Sequence, residues 1–416
     1  MAYDTTDPMQ HDAGHGPKPA VRPVMNANAR DTGVPDVPPQ FTVDGEKTER
    51  DWPLITRDDV ERLLAEYADL APLAKLAWHS PRPFSAAVLA HTLDGRAWFV
   101  KRHHARLRSA GSLAEEHGFI AHLRSRGMPV ADVLADREGR TAIARGDWTW
   151  EVHAAAPGMD AYRGVMSWKP FFHPTHAWSA GRSLARLHLA AADYDAPARA
   201  LQPLLSSFRV LSSARLDPAL EQWVQAQPGL ARSLASRDWR ADVAETIAPL
   251  HARLVPLLPE LRPLWTHGDW HASNLLWTDA APGAQVRTVL DFGLADRTCA
   301  VYDVALAIER NAIDWLAAPA ACAVQYEHIA ALLDGYESLA PLNEAEHEAL
   351  VALLPIVHTE FALLEVEYFD DILGDAAGVA AAYDGYLLGH ARWFGNDDGQ
   401  RLLAWLRARR RKESGR

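Results

Sequence analysis

The densest chemistry in the chain lies between Trp265 and Asp296. There His-Gly-Asp-Trp-His-Ala-Ser-Asn (267–274) is followed, across a polar turn, by Val-Leu-Asp-Phe-Gly (289–293). Asp269, Asn274 and Asp291 are hard oxygen donors of the kind that suit Mg²⁺, an ion that keeps several waters and takes one or two carboxylates together with substrate phosphates. With Asn274 and Asp291 on the metal, Asp269 is left to orient a hydroxyl for attack. For this to work the three side chains must share one small space, although 22 positions separate the first from the last.

The flanking pattern supplies a way to do this. Residues 275–277 and 286–290 are short apolar, strand-like runs on either side of a turn at 279–283, so a β-hairpin returns Asp291 to the neighbourhood of Asn274. A competing reading sets His267 and His271, with Asp269 between them, as a transition-metal cluster. A His-x-x-x-His pair serves that purpose on a helix face, and Trp270, Ala272 and the following Leu-Leu-Trp indicate a loop running into a strand instead.

Taken together, His267-x-Asp269-x-x-x-x-Asn274 and Asp291-Phe292-Gly293 resemble the catalytic loop and metal-binding motif of the aminoglycoside phosphotransferase and choline kinase superfamily, which shares the protein-kinase-like fold. His-Gly-Asp in place of His-Arg-Asp points to small-molecule kinases. The resemblance implies a two-lobed α+β fold with a small antiparallel-sheet lobe and a larger, mostly helical lobe. It implies Asp269 as catalytic base, and ATP and Mg²⁺ as cofactors, with the metal on Asn274 and Asp291. His267 then holds the loop by hydrogen bonds, Gly293 allows a backbone turn, and Asp303 braces the loop from the start of a helix. Lys101, at the end of Phe-Val-Lys (99–101), corresponds to the strand lysine that contacts nucleotide phosphates, and Glu116 to the helix glutamate that pairs with it. Glu115 is the alternative by one register step.

The remaining elements follow in chain order. Residues 1–50 are rich in turn formers and poor in aliphatics, and read as a disordered arm. The nucleotide lobe is expected over 51–155. Its strands are 75–79, 88–93, 98–102, 130–134, 141–145 and 148–153, with Asp94-Gly95 as a hairpin turn. The loop 80–87 lies where a kinase covers the phosphates. It has no glycine, and Ser85 is its candidate phosphate contact. Adenine is expected on the backbone near 151–155.

The helical lobe spans 156–416. It contains a long helix from Thr175, in which His188 is a packing residue, and a proline-broken helical region at 195–260. Helices follow at 324–338, 344–373 (kinked or broken at Pro355), 376–390 and 399–412. Beyond Pro355 comes an acidic series. Such a run usually marks a solvated face; the sharper reading aims Glu360 and Glu367, seven apart, into the cleft to bind a cationic or polyhydroxyl acceptor.

A net charge of −12 excludes the basic face of a nucleic-acid binder and suits a cationic small substrate. The two cysteines, Cys299 and Cys322, cannot build a disulfide framework, and no apolar run approaches the roughly 18 residues of a membrane span. The expectation is a soluble, cytoplasmic phosphotransferase acting on a hydroxyl of a small molecule, with no membrane partner. A nucleotide-binding pseudokinase and a protein kinase are the alternatives.

Overall fold

The computed structural model describes residues 40–41, 47–48, 50–317 and 324–413. The arm expected at 1–50 falls almost wholly outside these residues, as does Cys322. Two short strands, β1 (Gln40–Phe41) and β2 (Lys47–Thr48), pair as an antiparallel ribbon.

Alternating apolar residues build the first lobe. Strands β3 (Leu73–His79), β4 (Ala86–Thr92), β5 (Ala97–His104), β6 (Ile143–Arg145) and β7 (Trp148–Ala154) form one antiparallel sheet in the order β3-β4-β5-β7-β6. Val88, Val100 and Val152 point to one face and bury it under Val60, Leu63 and Leu64 of α1 (Arg57–Leu64). That helix begins with a Thr56–Asp59 capping box, in which each side chain bonds the other's backbone N–H. At the β4–β5 turn Gly95 has φ +81°, an angle that needs no Cβ. The opposite face of the sheet carries Lys101, Glu151 and His153, and lies over α2 (Ala110–Ser125).

One expected strand is absent. Residues 130–134 make only isolated bridges, Val130 to Val289 and Val133 to His153. Their backbone partners are divided between the sheet, where Leu134 N donates to Val152 O, and the other lobe, where Val289 N donates to Pro129 O. A segment that tethers two layers cannot also run along one neighbour. The expected strand at 141–145 is shortened to β6.

The second lobe is mostly helical, and the two-lobed α+β architecture is as expected. Helix α3 (Pro174–Ala191) crosses another helix at very short range. A Cβ on Gly181 would lie 1.9 Å from Leu332 O, and one on Gly335 would lie 2.0 Å from Trp178 O, so this crossing requires both glycines. The 195–260 region contains α4 (Leu216–Gln225), α5 (Pro228–Ser233), α6 (Trp239–Thr246) and α7 (Ala248–Leu254). After it come α8 (Ala300–Ala312), α9 (Tyr326–Glu337), α10 (Glu344–Leu353) and α11 (Thr359–Glu367), the break around Pro355 separating the last two. A π-helical turn (Tyr368–Leu373), α12 (Ala376–Ala380), a π-helical segment (Ala381–His390), α13 (Ala391–Trp393) and α14 (Asp397–Glu413) complete the lobe. Among the described residues no helix is long and apolar enough to cross a membrane.

Candidate active site

Two nested hairpins build the site. The outer one pairs β8 (Pro263–Thr266) with β11 (Asp296–Cys299), and the inner one pairs β9 (Leu275–Trp277) with β10 (Val286–Val289). The inner hairpin sets Leu290 N on Asn274 O at 2.9 Å, so Asn274 and Asp291 lie side by side. Asn274 Nδ2 donates to both Asp269 O (3.0 Å) and Asp269 Oδ2 (2.9 Å), which closes the group.

The loop carrying Asp269 is held from below. Asp303, buried in the first turn of α8, accepts from His267 N (2.8 Å) and Gly268 N (3.0 Å), and His188 Nε2 donates to it at 3.1 Å. His267, also buried, donates from Nε2 to Leu290 O and accepts Asp269 N at Nδ1, which ties the loop to the far end of the inner hairpin. His188 takes its second bond from the Tyr336 hydroxyl and sits in the core. Gly268 has φ +74°, and a Cβ there would meet Leu294 O at 2.5 Å.

The left-handed residue of the Asp-Phe-Gly motif is Asp291, at φ +59°, and not Gly293 as expected. Such an angle in a residue with a Cβ costs about 1–3 kcal/mol and recurs at functional sites. Gly293 serves through its carbonyl, which accepts from Arg108 Nη2 (3.0 Å) and Arg199 Nη1 (3.2 Å).

Lys101 reaches Asp291, with Nζ 3.2 Å from Oδ1. Burial alone would lower its pKa, but the carboxylates of Asp291, Glu151 and Glu116 raise it further, so the ammonium stays charged. The expected Lys101–Glu116 pair is not formed. Arg199, entering after α3, takes Glu116 at 3.7 Å and Glu115 at 3.8 Å, and spends its other donors on Gly293, Ala295 and Ser112 carbonyls. The carboxylate directly across the sheet from Lys101 is Glu151, and three histidines surround it. His103 donates to Oε1 at 2.9 Å, while His117 and His153 donate to Oε2 at 2.7 Å.

Ser85 is half-buried in the turn before β4. The residue of that turn which reaches across the cleft is Arg82, whose Nη2 donates to Val165 O at 2.7 Å and lies 3.5 Å from Ser273 Oγ.

Arg310 was not foreseen. This α8 residue is 3% exposed and ion-pairs through Nη1 with Asp269 Oδ1. Burial would raise the pKa of Asp269; Arg310 and His271, the latter 3.4 Å away, outweigh it and hold the carboxylate well below its usual range. The next residue, Asn311, braces the loop by accepting Ala272 N and donating to Trp270 O. A helix in which Glu309, Arg310 and Asn311 are all buried, at about 100° intervals, is surrounded on every side. That run of three polar residues closing an apolar helix was the available signal.

The acidic pair expected in the cleft is elsewhere. Glu360 is fully buried and accepts from Ser207 Oγ and from the N–H groups of Arg209, Val210 and Leu211 at 2.9–3.0 Å. Glu367 lies over the first turn of α5 beside Gly229 and Leu230; burial, then Asp371, pushes it up to about 7. Glu360 and Glu367 therefore do not lie on a solvated face, because the 195–260 region covers both, whereas Asp370 beyond them is exposed. Glu365, between the two, interacts with Arg310, and burial pushes it up to about 8. His267 bonds Leu290 O and Asp269 N, and His271 Nε2 lies 3.4 Å from Asp269 Oδ2. The two His/Glu groups with metal-like spacing among the described residues are His117–Glu151–His153 and Glu309–His358–His390.

The profile of the phosphotransferase enzyme family matches residues 80–342, which carry Lys101, the nested hairpins and α8. A homoserine kinase of Methylobacillus flagellatus is 25% identical over 259 residues, covering 61% of this chain and 68% of its own. One from Xanthobacter autotrophicus is 29% identical over 236 residues, covering 57% and 63% respectively. Among solved structures, an amicoumacin kinase in complex with AMP-PNP, Ca²⁺ and Ami superposes with a TM-score of 0.53 at 16% identity. The match covers 82% of this chain and 93% of that one, and shows a shared protein-kinase-like fold. A microcompartment-associated aminopropanol kinase gives 0.50 at 16% identity, covering 81% and 94%. With a family profile spanning most of both lobes and a fold to match it, the chain belongs to the phosphotransferase enzyme family.

Proposed function

We propose that the protein transfers the γ-phosphoryl group of ATP to a hydroxyl of a small molecule, with Mg²⁺, in the cytoplasm where ATP is supplied. The observation that carries this reading is the convergence of Asp269, Asn274 and Asp291 at the mouth of the inner hairpin, with Lys101 reaching them from the sheet. Residues 51–155 serve as the nucleotide lobe, adenine resting on the backbone near 151–155, and residues 156–416 receive the acceptor.

The donor set fits Mg²⁺. Asn274 spends its Nδ2 on Asp269 and so keeps Oδ1 for a cation, and the Asp291 side chain is 48% exposed to the cleft. Both are hard oxygens of the kind this ion prefers. When bound, Mg²⁺ neutralises phosphate charge.

The protein's own groups do the rest. Lys101 exchanges Asp291 for nucleotide phosphate, and Arg82 and Ser85 cover the phosphates from the preceding turn. Asp269 accepts the hydrogen bond of the acceptor hydroxyl and aims its oxygen at the γ-phosphorus. As the new O–P bond forms, the bond from that phosphorus to the β–γ bridging oxygen breaks. The hydroxyl proton passes to Asp269 and ADP leaves. A carboxylate held at low pKa orients the hydroxyl and takes its proton late.

The names of the curated relatives favour a hydroxy amino acid as acceptor; an amino alcohol such as choline, a sugar and an aminoglycoside are the compounds to compare with it. Acceptor-stimulated ADP release by the wild type, lost in Asp269→Asn with Mg-ATP binding retained, tests the reading. ATP binding with no stimulation by any acceptor would refute it.

A further inference from the structure

Beside Asp269 lies a second group of buried polar residues, and its members are incompletely bonded. Arg310 gives Nη1 to Asp269, but its Nε and Nη2 have no partner. Those two nitrogens form the side-on edge of the guanidinium, the fork that takes a carboxylate through two parallel bonds. The guanidinium lies over the rings of Trp168 and Phe361, at 5.4 and 5.2 Å.

Unpartnered acceptors share the nest. Glu309 Oε1 takes a bond from His390 Nδ1 at 2.8 Å, and Oε2 takes none. His358 donates from Nε2 to Leu387 O at 3.1 Å, which leaves a lone pair on Nδ1, also unpartnered. The Tyr386 hydroxyl makes no bond either; its ring is stacked on His358 and stands edge-on to Trp168. Glu309 and His358 are fully buried, and Arg310 and Tyr386 nearly so.

Glu309, His358 and His390 have the composition of a metal site, but a metal ion would satisfy only the acceptors. It would place a second cation beside Arg310 and leave the guanidinium edge empty. What satisfies both sets is a ligand that brings an anionic group and a cationic donor together. Trp168 and Tyr386 add aromatic surface suited to the cation.

We propose that the acceptor is a zwitterionic hydroxy amino acid whose carboxylate takes the free edge of Arg310 and whose ammonium goes to Glu309 Oε2 and His358 Nδ1. The inference rests on the kinase reading and adds three specificity-determining residues to it, Arg310, Glu309 and His358. It also gives Arg310 a positioning role: with Nη1 on Asp269 and its other edge on the acceptor carboxylate, the guanidinium bridges the two carboxylates and so sets the acceptor hydroxyl beside Asp269.

The test compares L-homoserine, L-serine and L-threonine with 3-amino-1-propanol, which lacks the carboxylate, 4-hydroxybutanoate, which lacks the ammonium, and glucose and kanamycin. ADP release is measured with the wild type, Arg310→Gln, Arg310→Lys and Glu309→Gln. At least one hydroxy amino acid should exceed both stripped analogues by roughly tenfold or more in kcat/KM, since unpaired buried groups penalise the incomplete ligand. Arg310→Gln should erase the preference for the carboxylate and raise KM more than it lowers kcat. Arg310→Lys keeps the charge without the fork and should recover it only in part. Glu309→Gln should erase the ammonium preference alone.

Faster turnover of glucose or kanamycin, or equal losses for every acceptor in Arg310→Gln, would overturn the inference while leaving the kinase standing. Calorimetry separates the two readings. A hydroxy amino acid that binds the wild type, fails to bind Arg310→Gln and is never phosphorylated supports this nest and refutes the kinase. Absence of both binding and turnover for all three amino acids overturns the nest.

Discussion

The two buried His/Glu clusters differ in one respect that separates support from recognition. Around Glu151, in the sheet lobe, both carboxylate oxygens are used: three histidines donate to them, and His117 is itself anchored on Thr141 at 2.8 Å. Around Glu309, in the helical lobe, Glu309, Arg310, His358 and Tyr386 all keep unpartnered polar atoms. A buried polar group left unbonded costs roughly 1–3 kcal/mol, so an evolved interior tolerates several together where a ligand will meet them. The first cluster stabilises the floor under Lys101, and the second is a cost that the folded protein carries for its substrate.

The largest test of this contrast is Glu151→Ala. Removing the shared acceptor strands two buried donors, His117 and His153, and the half-buried His103, and should cost about 3–5 kcal/mol in urea unfolding, the range found when one partner of a buried pair is deleted. A loss below about 1 kcal/mol would mean that the histidines do not depend on it.

A smaller effect should appear with pH. Burial raises Glu365 from 4.5 to about 8 in the folded state, Arg310 lowering it only in part. The folded protein therefore binds a proton that the unfolded chain has released, so this residue's contribution to stability is complete below about pH 4.5 and is lost as pH rises to about 8. Glu365→Gln should flatten that fall, by several kcal/mol at most at about 1.4 kcal/mol per unit. An unchanged slope would show that the residue titrates normally.

The smallest effect has the opposite sign. Tyr386→Phe deletes a buried hydroxyl that has no partner, and should leave stability unchanged or raise it by about 1 kcal/mol while weakening acceptor binding. Loss of stability with unchanged KM would assign this side chain to the core.

What the sequence disclosed depended on whether local rules govern the feature. Asp269, Asn274 and Asp291 were legible because a turn flanked by two apolar runs has one economical solution, and Asp94-Gly95 was legible because a tight β-turn needs a positive φ. The bracing by Asp303 followed from its family-like place at the start of a helix. The Lys101–Glu116 pairing was misread because Arg199, which takes Glu116, comes from a stretch with no recognisable pattern. Glu360 was misread because its partners are backbone N–H groups at 209–211, which every residue type carries. Residues 130–134 look like a strand because they are extended, but no local rule says which neighbour an extended segment will bond.

Phosphoryl transfer to a hydroxyl by the Asp269 group can be followed on the γ-phosphate itself. With γ-labelled ATP, Mg²⁺ and the acceptor panel, the wild type should place label on a hydroxyl compound. Asp269→Asn should do so on the order of 10²–10⁴-fold more slowly while binding nucleotide with unchanged affinity. Label that stays on ATP, or transfer undiminished in Asp269→Asn, would mean that the Asp269 group does not carry out this reaction.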